Sequence, residues 1–384
     1  MGSTPPPHSA LSNPMLRYDP NQPYEWNYEH APPVNGVPTE RPDPPVPGGR
    51  WDFCGLPVAS PLGMPAGPLL NGRWILYYAE RGFEVLTYKT VRSRARACYP
   101  LPNLVPVSDA ALDGPRAEVT SRACMGSTWA VSFGMPSREP EVWRRDVLWT
   151  RERLPKGKIL SVSVVGTMEP GWNLDQLAAD YARCARWAVE SGAHCVEANL
   201  SCPNVSSADG QLYQQPEAAA VVTRAVREAV REVPVLLKIG HVTHPEEAEA
   251  LAEAVSPFAS GLSMVNCLSA RVRAEDGSCL FEGQPRGIAG AAIREAVVRQ
   301  VSLFSRVIRE RGFPLRIVGV GGVGSAQDVR RLLESGAHAV HIATAAMLNP
   351  NLGWEIRDAL SAASGTSKDL RGDGAAGRRE GSLE

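Results

Sequence analysis

Leu315–Ile342 reads LRIVGVGGVGSAQDVRRLLESGAHAVHI. An apolar, β-branched run at 315–320 stops at the glycine pair Gly321-Gly322. Residues 325–335 then place apolar residues at helical spacing, and a second short apolar run follows at 338–342. A strand that feeds a helix and returns as another strand is a parallel crossover unit, since a short hairpin cannot join parallel strands. That unit belongs to an α/β protein.

Moving outward, the same rhythm repeats. Strand-like runs occur at 84–89, 159–165, 194–199, 234–239 and 261–266, and residues 56–66 offer a first strand. Segments with helical period lie at 71–81, 140–151, 174–191, 216–231, 245–256 and 291–311, with a last one at 351–362. The strands are apolar throughout rather than alternating, as expected when both faces are covered. Eight strand–helix units predict an α/β fold of the (β/α)8 TIM-barrel type. An open doubly wound sheet is the alternative, but it wants a G-x-G-x-x-G turn after its first strand, which is absent. Residues 91–139, 200–215 and 267–289 interrupt the rhythm. All three follow the C-terminal ends of strands, which is the catalytic face of a barrel.

The chain divides into a Pro-rich arm at 1–50, a barrel at 51–363 and a tail at 364–384. Thirteen of the 33 prolines fall within residues 1–50, so the arm is expected to contain no regular helix or inner strand. Tyr18, Tyr24, Trp26 and Tyr28 point to part of it packing on a surface. The Gly-, Arg- and Ser-rich tail reads as disordered.

Composition narrows the function. With 40 Lys+Arg against 41 Asp+Glu, bulk electrostatics exclude a nucleic-acid partner. No run of 18 apolar residues occurs and the first residues lack a signal-like pattern, so neither a membrane association nor export is expected. A cytoplasmic location with reduced thiols follows as the expectation. None of the eight cysteines has C-x-x-C spacing, which disfavours zinc or an iron–sulfur cluster; no metal is expected.

The densest chemistry lies in Glu197-Ala-Asn-Leu-Ser-Cys-Pro-Asn204. Asn199 ends a strand and faces the barrel mouth. Cys202 sits on the following loop, where a thiol of lowered pKa can act as nucleophile or base. Asn199 and Asn204 offer paired donors and acceptors to an amide-like ligand. The bland alternative is an inert loop thiol between two turn asparagines. Lys89 and Lys238 end apolar strands, where a lysine is costly unless it meets an anion or an electron-rich ring; the bland alternative is snorkelling at the rim. Gly321 and Gly322 after the seventh strand, with Thr344 after the eighth, have the placement of a barrel phosphate site. Gly287-Ile-Ala-Gly290 before a helix could add to it, and tight-turn glycines are the alternative.

The core from about 51 to 362 resembles dihydroorotate dehydrogenase, an FMN-containing (β/α)8 barrel. The likeness is carried in order and spacing by the lysine of LTYKT at 86–90, NLSCPN at 199–204, and the lysine of LLKIG at 236–240. It continues through VNC at 265–267, GIAG at 287–290, GVGGVGSAQD at 319–328 and ESGAHAVHIAT at 334–344. Cysteine within NLSCPN marks the soluble branch. The resemblance implies that Cys202 takes a proton from the substrate carbon while hydride passes to flavin N5. It places Lys238 at the flavin N1/O2 edge and Lys89 against flavin and substrate. Asn199, Asn204 and Asn266 would bond the pyrimidine, with Cys267 beside them. Ala66 and Gly67 would let the first strand approach the flavin. Gly290, Gly321, Gly322, Ala343 and Thr344 would cradle its ribityl phosphate. Val131, Ser132, Phe133, Gly134 and Met135 align with the substrate-carboxylate loop.

That loop departs from the family, because Val131 stands where the family usually has a ligand-binding asparagine. Cys267 replaces a usual Ser or Thr, and Ala343 and Arg286 each replace a usual Gly. The arm has no counterpart in the compact soluble enzymes. The expected function is therefore FMN-dependent oxidation of dihydroorotate to orotate in pyrimidine biosynthesis. A diverged flavin dehydrogenase or reductase of another small cyclic amide or carboxylate is the rival, and a flavin-binding scaffold without turnover is the non-enzyme alternative. The expected partners are a small-molecule substrate and a separate electron acceptor. Oligomeric state stays open, with a homodimer as the state the resemblance suggests.

Overall fold

The computed structural model describes residues 16–34, 43–46, 51–114, 118–201 and 208–368. Eight parallel strands close into a barrel: β1 Leu62–Met64, β2 Val85–Val91, β3 Ile159–Val164, β4 Cys195–Asn199, β5 Val235–Lys238, β6 Gly261–Met264, β7 Arg316–Val320 and β8 Ala339–His341. Closure is made where β8 pairs with β1, Val340 against Leu62 and His341 against Gly63. Outside the strands lie helices α1 Gly72–Ala79, α2 Pro140–Arg153, α3 Leu174–Glu190, α4 Pro216–Val230, α5 Pro245–Val255, α6 Arg294–Arg311, α7 Ala326–Glu334 and α8 Leu352–Lys368. Their starts are chemically marked. Asn71 and Ser325 accept first-turn N–H groups, Asn173 and Gln176 form a capping box, and α2, α4 and α5 carry proline in the first turn.

The expected first strand over 56–66 is in fact two elements. Leu56–Val58 pairs antiparallel with Trp51–Phe53, and only Leu62–Met64 enters the barrel. The positive φ of Cys54 (53°) and Gly55 (89°) makes the tight turn between the paired strands. Phe53 then plugs the barrel floor, stacked on His341 at 5.9 Å between centroids.

Two of the three excursions join. Leu104–Pro106, Thr128–Val131, Arg286–Gly290, Leu268–Arg273 and Glu118–Thr120 form, in that order, a five-stranded sheet beyond the C-terminal ends of the barrel strands. Residues far apart in sequence thus roof the mouth together.

The arm contradicts one expectation. Tyr24–Glu29 is a short helix. Its prolines lie at the borders, with Pro23 as N-cap, so no interior N–H is lost. Tyr18 and Tyr24 are buried against the core. Residues 43–46 instead reach the opposite end of the barrel. There Asp43 accepts from Trp354 Nε1 at 3.1 Å and pairs with Lys158. Lys158 and Arg357 both pair with buried Glu84. The last helix, α8, continues to Lys368, past the expected end at 362 and into the tail expected from 364. The remaining tail, 369–384, lies outside the described residues.

Candidate active site

A cavity of about 270 Å³ lies between the C-terminal ends of the barrel strands and the roofing sheet. Its floor is made by strand ends. Ala66 and Gly67 follow β1, and a Cβ built on Gly67 would meet nothing within 4 Å, so this backbone fronts open space. Ser163, Glu197, Lys238 and His341 also line it. Burial pushes the pKa of Lys238 down, while nearby Glu197 and Cys267 act in the opposite direction. The His341 ring is fully buried; desolvation first, then the charge of Lys238, lowers its pKa to about 3, so it is neutral at working pH.

At one end the walls are main chain. Gly321 (φ 122°) and Gly322 (φ 73°) follow β7, and Ala343 and Thr344 follow β8. Gly290 (φ 106°) ends a roof strand, where a Cβ would stand 2.1 Å from the Ser127 carbonyl oxygen. Arg294, at the start of α6, latches the turn: its Nε donates to the Gly322 carbonyl at 2.7 Å and pairs with Asp328 at 3.1 Å. A guanidinium beside glycine-freed backbone suits an anion.

At the other end the walls are side chains. Lys89 is buried, its Nζ 5.0 Å from the centroid of Phe133. Asn199 Nδ2 lies 3.5 Å from Met135 Sδ, and its Oδ1 accepts from the Ser201 N–H at 3.2 Å. Asn266 Nδ2 donates to the Ser201 carbonyl, tying β6 to the loop after β4. Cys267 lines the cavity beside it. The loop Val131–Met135 is held from outside: Asn103 Nδ2 donates to the Ser132 carbonyl at 2.8 Å, and buried Arg92 donates through Nε to the Met135 carbonyl at 3.2 Å. Gly134 (φ 72°) and Met135 (φ 53°) are both left-handed, a costly backbone at methionine that recurs where a loop shapes a site.

Of the residues singled out from sequence, Ala66, Gly67, Lys89, Val131, Phe133, Gly134, Met135, Asn199, Lys238, Asn266, Cys267, Gly290, Gly321, Gly322, Ala343 and Thr344 line this one cavity. Ser132 does not; its Oγ accepts from Arg286 Nε at 2.7 Å. Cys202 and Asn204 lie outside the described residues. Sequence reasoning missed Tyr18, Ser163, Glu197, Arg294 and His341 as cavity residues. Glu197 had a signal, since it sits two residues before Asn199 on the same face of a strand; the others had none.

A closed parallel barrel whose mouth gathers two buried lysines, two asparagines and a glycine turn under an accessory sheet is a (β/α)8 protein with its candidate site at the C-terminal face of the barrel. The family model for dihydroorotate dehydrogenase matches residues 131–363, and the chain belongs to that family. It is 31% identical over 356 residues to dihydroorotate dehydrogenase of Dictyostelium discoideum, across 87% of this chain and 94% of that protein. It is 36% identical over 167 residues to the catalytic subunit of dihydroorotate dehydrogenase B (NAD(+)) of Staphylococcus carnosus, spanning 52% of that protein. The crystal structure of DHODH in complex with ferulenol from Eimeria tenella shares the fold, with a TM-score of 0.70 over 94% of this chain and 17% identity. The chain is thus an oxidoreductase of the dihydroorotate dehydrogenase type, acting on CH–CH bonds.

Proposed function

We propose that this protein oxidises dihydroorotate to orotate with FMN as its cofactor. The observation that carries the reading is convergence: Lys89, Asn199 and Lys238, from three strands, and Asn266, just after a fourth, meet in the cavity that also holds the glycine cradle. The residues present fit FMN. Gly67 leaves room along the floor for a flat ring, and the Gly321–Gly322 turn with Ala343, Thr344 and Arg294 offers donors to a phosphate. Lys238, at the end of β5 across the barrel from β1, lines the same cavity and would face the ring system, where a buried cation stabilises negative charge gained on reduction.

Bound FMN supplies a two-electron acceptor that takes a hydride from the substrate. The substrate loses that hydride and one proton, and a C–C single bond becomes a double bond. Cys202, on the resemblance of NLSCPN, is the base that removes the proton. Asn199 and Asn266 orient the ring amides, and Lys89 meets the anionic side of the substrate. Phe133 and Met135 keep water from the reacting carbon. Electrons then leave to a separate acceptor.

Among the described residues no helix is long and apolar enough to cross a membrane, and no group of three or more His, Cys, Asp or Glu could hold a metal. A cytoplasmic place in pyrimidine biosynthesis, as a homodimer, completes this reading. One observation favours a second one. Val131 presents hydrocarbon to the cavity, so a small cyclic amide or carboxylate other than dihydroorotate is the rival substrate.

The test is anaerobic. Dihydroorotate should bleach the yellow enzyme within its working time, and the released cofactor should run as FMN on chromatography. No bleaching by dihydroorotate, with bleaching by another member of a cyclic-amide panel, would move the assignment to the rival substrate.

A further inference from the structure

We propose that Arg92, which is not part of the cavity wall, is a positioning residue for substrate binding: its guanidinium fixes the Gly134–Met135 turn of the substrate loop and, through Met135, the Asn199 amide. The proposal rests on the dihydroorotate reading above. Arg92 follows directly on β2 and is fully buried, at 0% exposed. Its Nε donates to the Met135 carbonyl at 3.2 Å, and Nη1 donates to the Gly166 carbonyl and to Thr167 Oγ1, both at 3.0 Å. The substrate loop and the loop after β3 are thus tied to one guanidinium. Burying a guanidinium is costly, and hydrocarbon would fill the same space without that cost. What the buried charge does there is hold carbonyls.

Met135 needs holding. Its φ of 53° is left-handed, a backbone that is costly for a residue with a Cβ and persists only where the surroundings impose it. Gly134 before it is left-handed too, at 72°. Without the bond to Arg92 this turn is free to relax, and the Met135 side chain moves with it, out of the cavity wall it forms. That side chain touches an amide of the site: Asn199 Nδ2 lies 3.5 Å from Met135 Sδ. Asn199 Oδ1 accepts from the Ser201 N–H at 3.2 Å, so the amide turns its oxygen to the loop after β4 and its NH2 group to Met135. One chain of contacts therefore runs from the guanidinium, through a main-chain carbonyl and a thioether, to an amide that lines the cavity.

Arg92 is itself immobilised. Its own N–H donates to Ser137 Oγ at 3.1 Å, and its carbonyl accepts from Trp143 Nε1 at 3.1 Å. Asp180, 1% exposed on α3, brings a negative charge to the same region. It accepts from the Thr167 N–H and from the Ser93 hydroxyl, both at 2.9 Å, so it grips a partner and a chain neighbour of the arginine. A planar guanidinium sets several acceptors at fixed positions, which an ammonium on a flexible stem does less well. Holding the loop in its binding shape lowers the ordering cost of binding without adding a contact to the ligand.

The tests use the full-length, cofactor-loaded protein. Arg92→Gln removes the charge and the fork; the Kd for orotate, by calorimetry, and the KM for dihydroorotate should rise together by about tenfold. Arg92→Lys should recover part of that loss. The limiting rate of anaerobic bleaching at saturating substrate should fall much less than KM rises, and cofactor content should not change. A residue that only braces the fold would lower the thermal midpoint and leave the orotate Kd, measured well below that midpoint, where it was; that result overturns the proposal and leaves the dihydroorotate reading standing. Thr167→Val is the milder variant should both arginine variants fail to fold. Loosening one anchor of the guanidinium should raise the orotate Kd about threefold, and an unchanged Kd overturns the proposal equally. Met135→Leu keeps the volume and removes the sulfur that Asn199 meets. Combined with Arg92→Lys, its effect on the orotate Kd should be less than additive, because both act on one amide, and strict additivity overturns the chain of contacts. A parent that neither binds orotate nor bleaches with dihydroorotate overturns the dihydroorotate reading, and the proposal with it.

Discussion

The two ends of the cavity are built on different principles. At the cradle end, Gly321, Gly322, Ala343 and Thr344 come from one strand–turn–helix–strand unit, and what they present is backbone. At the far end, Tyr18, Lys89, the Val131–Met135 loop, Asn199 and Asn266 come from five separate segments and present mostly side chains. A backbone site is set by the fold, so a side chain such as that of Ala343 can stand in it without removing an N–H. A side-chain site changes its chemistry with one residue, as at Val131. The cofactor end is therefore expected to resist drift, and the substrate end to be where this member of the family differs.

Two variants test that contrast most severely. Cys202→Ala should leave the cradle, and hence bound flavin, untouched while slowing bleaching by the true substrate. Removing a general base typically costs about 10²–10⁴-fold, read by anaerobic stopped-flow spectroscopy. Near-normal reductive kinetics in that variant would take Cys202 out of the mechanism. Gly322→Val attacks the other end. Its φ of 73° is left-handed, and a Cβ there would lie 2.6 Å from Arg294 Cα, so the turn must move. Strain of about 1–3 kcal/mol should weaken cofactor binding by roughly tenfold to a hundredfold. Titrating FMN into the apoprotein measures it, and unchanged affinity would mean that the phosphate lies elsewhere.

Legibility in the sequence follows the same division. Seven of the eight barrel strands are readable to within two residues at each end because both faces are buried and their apolar runs are continuous, as in 159–165 expected against Ile159–Val164 found; the first, expected over 56–66, is not. The Gly321–Gly322 turn is readable because the glycine pair closes an apolar run and precedes a helical period. What is not readable is whatever depends on distant segments meeting. Residues 91–139 and 267–289 are visible as excursions, but nothing local shows Ala130 pairing with Ile288 in a shared sheet. Arg294 reads as an ordinary helix-start arginine until its partner at Gly322 is seen. His341 reads as one residue of a short apolar run, and only the closed barrel shows that its ring is sealed inside. Tyr18 hides for another reason: proline-rich composition argues against regular structure, and so masks a short helix whose prolines lie at its borders.

The smallest expected effect sharpens the comparison most, because it asks whether the substrate end has drifted or compensated. Val131 presents hydrocarbon where an asparagine would offer a donor, and a carboxylate set against hydrocarbon alone is poorly solvated. If the pocket has drifted to another ligand, the parent should reduce slowly with dihydroorotate, and Val131→Asn should gain about tenfold in kcat/KM, equivalent to about 1.4 kcal/mol. If Lys89 or the backbone of the Val131–Met135 loop already meets the carboxylate, the parent should be fast with dihydroorotate and Val131→Asn should gain little, since a further donor adds little once the oxygen is satisfied.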